Sequence, residues 1–202
     1  MNDLLAILAA YLMGSIPFAQ LLSQRRGVDL RRVGSRNVGA TNVLRTLGVR
    51  AAVLAMVLDA VKGVVAVLVA QRLTNGATAP VAAGLASMIG HVYPVWLRFR
   101  GGKGVATAAG AFAVLTPAAL GAAAGVFLLV VWFSRFISVG SMAAALTLAV
   151  WTIATDAPMA VGIGAALAAA MVIVAHRANL ARLAAGTERR IGQRGVRATP
   201  VS

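Results

Sequence analysis

Seven apolar runs dominate this 202-residue chain, at residues 4–22, 51–72, 79–97, 105–116, 118–134, 138–155 and 157–176. About 20 apolar residues, coiled as a helix, match the hydrocarbon thickness of a bilayer. Runs of this length take up most of the chain, so no stretch is left for a soluble domain with its own core. The expected fold is an all-α polytopic membrane protein with seven transmembrane helices, some short or interrupted, forming one integral membrane domain over 1–202. A composition that is 60% hydrophobic and 12% charged agrees with this.

The interruptions fall at prolines. Thr116-Pro117 divides what would otherwise be one long helix over 105–133, because proline removes a backbone donor and its predecessor leaves helical geometry. Pro94 is expected to distort the end of the third run. The first run competes with a signal peptide, but only Asn2 and Asp3 precede it in place of a basic n-region. It reads as a retained span.

A formal net charge of +14 would suggest nucleic acid in a soluble protein. In a chain this apolar, basic loops on one side of a membrane explain it better, and no nucleic-acid partner is expected. Threading the seven runs alternately gathers every basic residue except Arg72 and the intramembrane Lys62 on one side, including Arg194 and Arg197 of a tail over about 177–202. The positive-inside rule then puts the N-terminus outside and the tail in the cytoplasm. A six-span threading that fuses 105–133 separates Arg135 and the tail from the other basic loops. There is no cysteine and only two histidines, so neither a disulfide nor a metal cluster is expected, and no cofactor.

Four polar strings fall on that basic side. Gly34-Ser35-Arg36-Asn37-Val38-Gly39-Ala40-Thr41-Asn42, with Arg45 within one helical turn of Asn42, can wrap an anion or a polyol in small donors. Arg98 to Thr107 reads R-F-R-G-G-K-G-V-A-T; its glycines Gly101, Gly102 and Gly104 leave backbone N–H groups open beside Lys103 at a helix start, an anion-binding arrangement. It lacks the spacing of a nucleotide P-loop. His91, just upstream, taken alone reads as a packed residue.

The third string, Ser134 to Ser141, offers Ser138 as a helix N-cap and Ser141 one turn further in. In the fourth, His176 and Asn179 share a helix face, and a neutral imidazole there could serve as a base. Arg182 and Glu188 read as parts of a solvated amphipathic tail. Asp59 and Lys62, one turn apart within the second run, read as an ion pair bracing the span.

Four ordered blocks carry a resemblance: S-R-N-V-G-A-T-N-V-L-R, L-D-A-V-K-G, G-H-V-Y-P-V-W-L-R-F-R-G-G-K-G-V-A-T and H-R-A-N-L-A-R-L. With Gly14-Ser15-Ile16-Pro17 at one end and Gly186-Thr187-Glu188 at the other, they resemble the PlsY family of bacterial acyl-phosphate:glycerol-3-phosphate acyltransferases. Departures from the family pattern at Arg100, Phe136 and Ala178 remove no anion ligand. The resemblance implies seven helices in the bacterial inner membrane and a cytosolic active site. It implies transfer of a fatty acyl group from acyl phosphate to the 1-hydroxyl of glycerol 3-phosphate, giving lysophosphatidic acid, without acyl-carrier protein, coenzyme A or metal. It further implies catalytic roles for His176, Ser141 and Asn179. Substrate binding falls to Ser35, Asn37, Gly39, Thr41, Asn42, Arg45, His91, Gly101, Gly102, Lys103 and Gly104.

Two rivals stand beside this reading. An organic-phosphate transporter would need inverted repeats and polar residues reaching both faces, and the polar strings gather on one. A lipid-binding structural protein would leave the Gly-Ser-Asn-Thr strings without a job.

Overall fold

The computed structural model describes residues 2–193; Met1 and the tail residues Arg194 and Arg197 lie outside the described residues. Among the described residues the protein is helical throughout. In chain order the helices are α1 (Asn2–Gly14), α2 (Phe18–Gln24), α3 (Ala40–Leu47), α4 (Val49–Leu73) and α5 (Thr78–Val92), then, after a 3₁₀ turn at Val95–Leu97, α6 (Val105–Leu115), α7 (Pro117–Ser134), α8 (Ile137–Ala154), α9 (Met159–Ala175) and α10 (Arg177–Ala184).

Five stretches are long and apolar enough to cross a membrane: Asn2–Gln24, Val49–Leu73, Thr78–Leu97, Pro117–Ser134 and Ile137–Ala154. The pair α9–α10, bent by 54° at His176, makes a sixth when counted as one broken span. The chain is thus a multi-pass membrane protein. Helix α6, read from sequence as a span, has only 11 residues, about half the length a bilayer core requires. Its stop at Thr116 and the restart with Pro117 as the first residue of α7 follow from the proline, which lacks an N–H where a helix start needs none.

The interior is built from small residues and the surface from large ones. Ala55, Ala66, Ala70, Ala83 and Ala165 are buried, whereas Leu128, Trp132, Phe133 and Met159 stand 66–81% exposed. Water would punish that surface; lipid is as apolar as leucine, so helices associate there by close backbone approach. Gly110 of α6 rests against the Ala60 carbonyl of α4, and Gly63 of α4 against the Thr107 carbonyl of α6. A Cβ at either position would meet backbone, not a side chain that could turn away.

The first run is not one continuous helix. Gly14-Ser15-Ile16-Pro17 breaks it between α1 and α2. The Lys62 ammonium on α4 donates to the freed Gly14 and Ile16 carbonyls at 3.0 and 3.1 Å, with the Phe18 ring 5.7 Å away. The expected Asp59–Lys62 pair is present at 2.8 Å, both residues 2% exposed.

Replacing Gly110 by Ala forces α4 and α6 apart and lowers stability by about 1–3 kcal/mol. This is read as a fall in the thermal midpoint of the detergent-solubilised protein. Gly121→Ala, within α7 where a Cβ would meet open space, does not lower the midpoint and raises it slightly through helix propensity.

Candidate active site

Helix α5 cannot continue through Pro94, and the chain makes a tight loop before α6. Arg98 and Phe99 take left-handed conformations, φ 52° and 61°, and Gly104 at φ 79° caps α6. The Gly101 N–H donates to the Val92 carbonyl at 3.0 Å and the Gly102 N–H to the His91 carbonyl at 3.1 Å. This corrects the sequence expectation that both amides stand open. These two glycines contribute shape, since a Cβ on either would strike α5. The loop's unspent N–H groups run from Lys103 into the first turn of α6, whose amides lack acceptors within the helix.

Lys103 leans from this loop toward the other end of the chain. Its ammonium donates to Asn179 Oδ1 on α10. The Asn179 amide is oriented from behind, because Nδ2 donates to Glu188 Oε1 at 2.6 Å. That carboxylate also accepts from Ser138 Oγ at 2.9 Å and from Arg182 Nε at 2.7 Å. Glu188 is buried, so the reading of a solvated tail is overturned for it, while its partner Arg182 keeps a 38% exposed side chain. Gly186, at φ 68°, turns the chain back after α10 so that the Thr187 and Glu188 N–H groups both reach the Arg182 carbonyl. Ser138 does not cap α8 either: the helix starts at Ile137, with Phe136 at the cap position two residues earlier, and the hydroxyl is released to Glu188.

The electrostatics follow from this geometry. Burial alone would raise the Glu188 pKa, but the hydrogen bonds from Asn179, Arg182 and Ser138 hold it below the usual glutamate range. Burial pushes the Lys103 ammonium down to about 8, against the pull of Glu188 and helped by the positive charges of Arg182 and Arg45. A single acid therefore faces three cations.

His176 stands at the bend between α9 and α10, 2% exposed, within electrostatic reach of Lys103. Its Nδ1 lies 2.7 Å from the Val172 carbonyl. A carbonyl can only accept, so the neutral ring carries its proton on Nδ1 and leaves Nε2 bare.

The first polar string forms the opposite wall. Gln20 and Asp29 organise it: Gln20 Nε2 donates to Asp29 at 2.8 Å and its Oε1 accepts the Leu30 N–H. The Asn42 amide is spent inside the loop, accepting from the Ser35 N–H and donating to the Leu30, Val33 and Asn37 carbonyls. Asn42 thus shapes the wall instead of facing a ligand. Asn37 reaches across to the Gly101 carbonyl at 3.5 Å, joining this wall to the glycine loop. Gly39 caps α3, Thr41 is half-buried in its first turn, and Ser35 is exposed. Arg45, near the end of α3, donates to the Arg189 carbonyl. Ser141 is buried on α8 and back-bonds to the Ile137 carbonyl at 2.9 Å.

His91 lies behind the glycine loop, not on its open side. Its Nδ1 is 3.1 Å from Lys62 Nζ and 3.4 Å from Asp59 Oδ1, and its Nε2 lies against Gly102. Two residues that the sequence reading passed over, Glu188 and Ser138, belong to the site. A signal was available for the first, since Glu188 is the lone acid of the arginine-rich stretch after His176.

A family model described as glycerol-3-phosphate acyltransferase matches residues 4–186. A Myxococcus xanthus protein of that name is 50% identical over 187 residues, 91% of this chain and 97% of its own length. One from Desulforamulus reducens is 43% identical over 194 residues, 96% of this chain and 97% of its own. Among solved structures, the glycerol 3-phosphate form of PlsY (YgiH), an integral membrane glycerol 3-phosphate acyltransferase, has a TM-score of 0.91 at 38% identity, covering 95% of this chain and 96% of that one. The lysophosphatidic acid form of PlsY gives 0.89 at 37%, with the same coverage. Matches of this identity over nearly the whole chain show that the protein belongs to the glycerol-3-phosphate acyltransferase family typified by PlsY.

Proposed function

We propose that this protein transfers a fatty acyl group from acyl phosphate to the 1-hydroxyl of glycerol 3-phosphate, giving lysophosphatidic acid and inorganic phosphate for phospholipid synthesis. One observation carries the reading: Lys103, in a glycine-shaped loop beside Arg45 and Arg182, faces a histidine whose bare Nε2 is available as a base. Each substrate bears a phosphate, and the donor's phosphate is the group that leaves, so a site with one acid among three cations suits both binding and departure. The glycerol 3-phosphate and lysophosphatidic acid forms of the PlsY neighbour support the acceptor and the product.

In this mechanism the Lys103 ammonium and the N–H groups at the start of α6 hold the acyl phosphate, with Gly101, Gly102 and Gly104 permitting close approach. Ser35, Asn37, Arg45 and Asn179, with Ser141, orient glycerol 3-phosphate and the acyl carbonyl; Gly39 and Thr41 line their wall. The glycerol oxygen attacks the carbonyl carbon, forming the ester bond. The bond from that carbon to the bridging phosphate oxygen breaks and its electron pair leaves with phosphate. The hydroxyl proton passes to His176 Nε2. An acyl phosphate is already activated, so neither a covalent acyl-enzyme, an acyl-carrier protein nor a cofactor is called for. The positive-inside bias supports seven crossings, with α6 a short one, the N-terminus outside and the site on the cytoplasmic face of the bacterial inner membrane.

Purified protein given acyl phosphate and glycerol 3-phosphate releases phosphate and makes lysophosphatidic acid; absence of both products ends the proposal. His176→Ala lowers kcat about 10²-fold to 10⁴-fold. If turnover survives that change intact, a substrate phosphate oxygen takes the proton instead.

Lys103→Ala raises KM for acyl phosphate about 10-fold to 100-fold, the worth of a charge-assisted hydrogen bond. Because the Lys103 ammonium loses its proton near 8, wild-type kcat/KM falls as pH rises through that value. In Lys103→Arg, whose guanidinium stays charged, a pH–rate profile shows that limb displaced to higher pH.

A further inference from the structure

The Asp59–Lys62 pair does more than neutralise itself. The Lys62 ammonium reaches beyond its partner: it donates to the Gly14 and Ile16 carbonyls and lies 3.1 Å from His91 Nδ1. Asp59 Oδ1 lies 2.8 Å from Nζ and 3.4 Å from His91 Nδ1, so the carboxylate neutralises the ammonium and also touches the histidine. A simple brace within α4 would spend its protons on the carboxylate beside it alone. Here the ammonium also ties α4 to the broken first span and to His91, which border the glycine loop.

The contacts continue outward from there. His91 is held at its side chain by Lys62 and, through its own carbonyl, holds the Gly102 N–H; Val92 next to it holds Gly101. The His91 ring also occupies the space that a Cβ on Gly102 would need. The broken first span, through residues 14–19, and the loop glycines Gly101 and Gly102 line one small cleft around this cluster. Lys103 is the next residue along the chain. A shift of the Lys62 ammonium therefore moves the His91 ring and carbonyl, and with them the backbone that aims Lys103.

We propose that Asp59, Lys62 and His91 are positioning residues of the reaction: buried behind the glycine loop, they set its backbone for the phosphate-bearing substrate it holds. On the reading above that substrate is acyl phosphate. Their effect is on binding of that one substrate, transmitted through Gly101 and Gly102.

The test is the double variant Asp59→Leu/Lys62→Met, which removes both buried charges together and leaves neither unpaired. KM for acyl phosphate rises about 10-fold to 100-fold, as expected for a misplaced loop, while KM for glycerol 3-phosphate stays within about 2-fold. Gly102→Ala, measured alongside, raises the same KM, and combining it with the double variant adds less than the product of the two effects. If both changes raise KM for glycerol 3-phosphate instead, the positioning role stands and the loop's assignment to acyl phosphate falls. If the thermal midpoint drops while both KM values hold, or if nothing changes, the cluster is a brace and the proposal is overturned. Should the double variant not be recovered folded, Lys62→Gln, which keeps a donor for the broken span, is read by the same KM split.

Discussion

A backbone amide or carbonyl released from a helix inside a bilayer has no water to turn to, and leaving it unpaired costs several kcal/mol. This chain releases such groups repeatedly, at Gly14–Pro17, at Pro94–Gly104, at Thr116-Pro117 and at His176. Each break near the site is repaired by a polar group of the protein. Lys62 takes the carbonyls of the first break, the Gly101 and Gly102 amides take those of α5, and at the bend the His176 ring adds a second bond to the Val172 carbonyl, which also accepts the His176 N–H. The repairs are also what bring the chemistry-bearing residues to fixed places. A straight-helix version of the same bundle would have no loop to hold Lys103 and no bend at which to turn His176.

Charge is arranged by the same economy. Glu188 is spent entirely on Ser138, Asn179 and Arg182, so it orients groups while offering no free oxygen to repel a phosphate. Lys103, half-buried and bonded to a neutral amide, keeps a charge that is not cancelled locally. In a partly desolvated pocket such a charge acts over a longer reach than in water. On the proposed reading, a dianionic substrate supplies the missing counter-charge.

Much of this was legible beforehand for a physical reason. Membrane burial demands long apolar runs and proline or glycine breaks, both visible in one dimension, and the Asp59–Lys62 spacing gives the pair directly. Hydrogen-bond direction is not visible that way. The glycines of the loop suggested open amides, yet two of those amides turn inward to α5 because the loop folds back on the helix it leaves. Glu188 looked solvated because it follows a short basic helix and stands among arginines. Only the turn at Gly186 brings it under Asn179, and Ser138 becomes its partner because α8 begins at Ile137. Asn42 and His91 carried the residue types of ligands, and the structure employs them as supports. The short α6 reads as one more apolar run until its 11 residues are set against the thickness of a bilayer.

Small residues inside and large ones outside tie these features together. Gly63 and Gly110 let α4 and α6 approach to backbone contact, so the carboxylate and ammonium of α4 lie close behind the loop from which α6 starts. Bulkier interior residues would widen that gap and put a layer of hydrocarbon between the buried pair and the glycine loop. Close packing thus does what a hydrophobic core does in water, and it also sets the distance over which a buried charge can govern a site at the end of the bundle. On the proposed reading this suits a reaction whose donor is an amphiphile held by lipid and whose acceptor is soluble. The outer surface stays apolar enough to receive an acyl chain, while all the directed polar contacts are kept within the bundle and at one end of it.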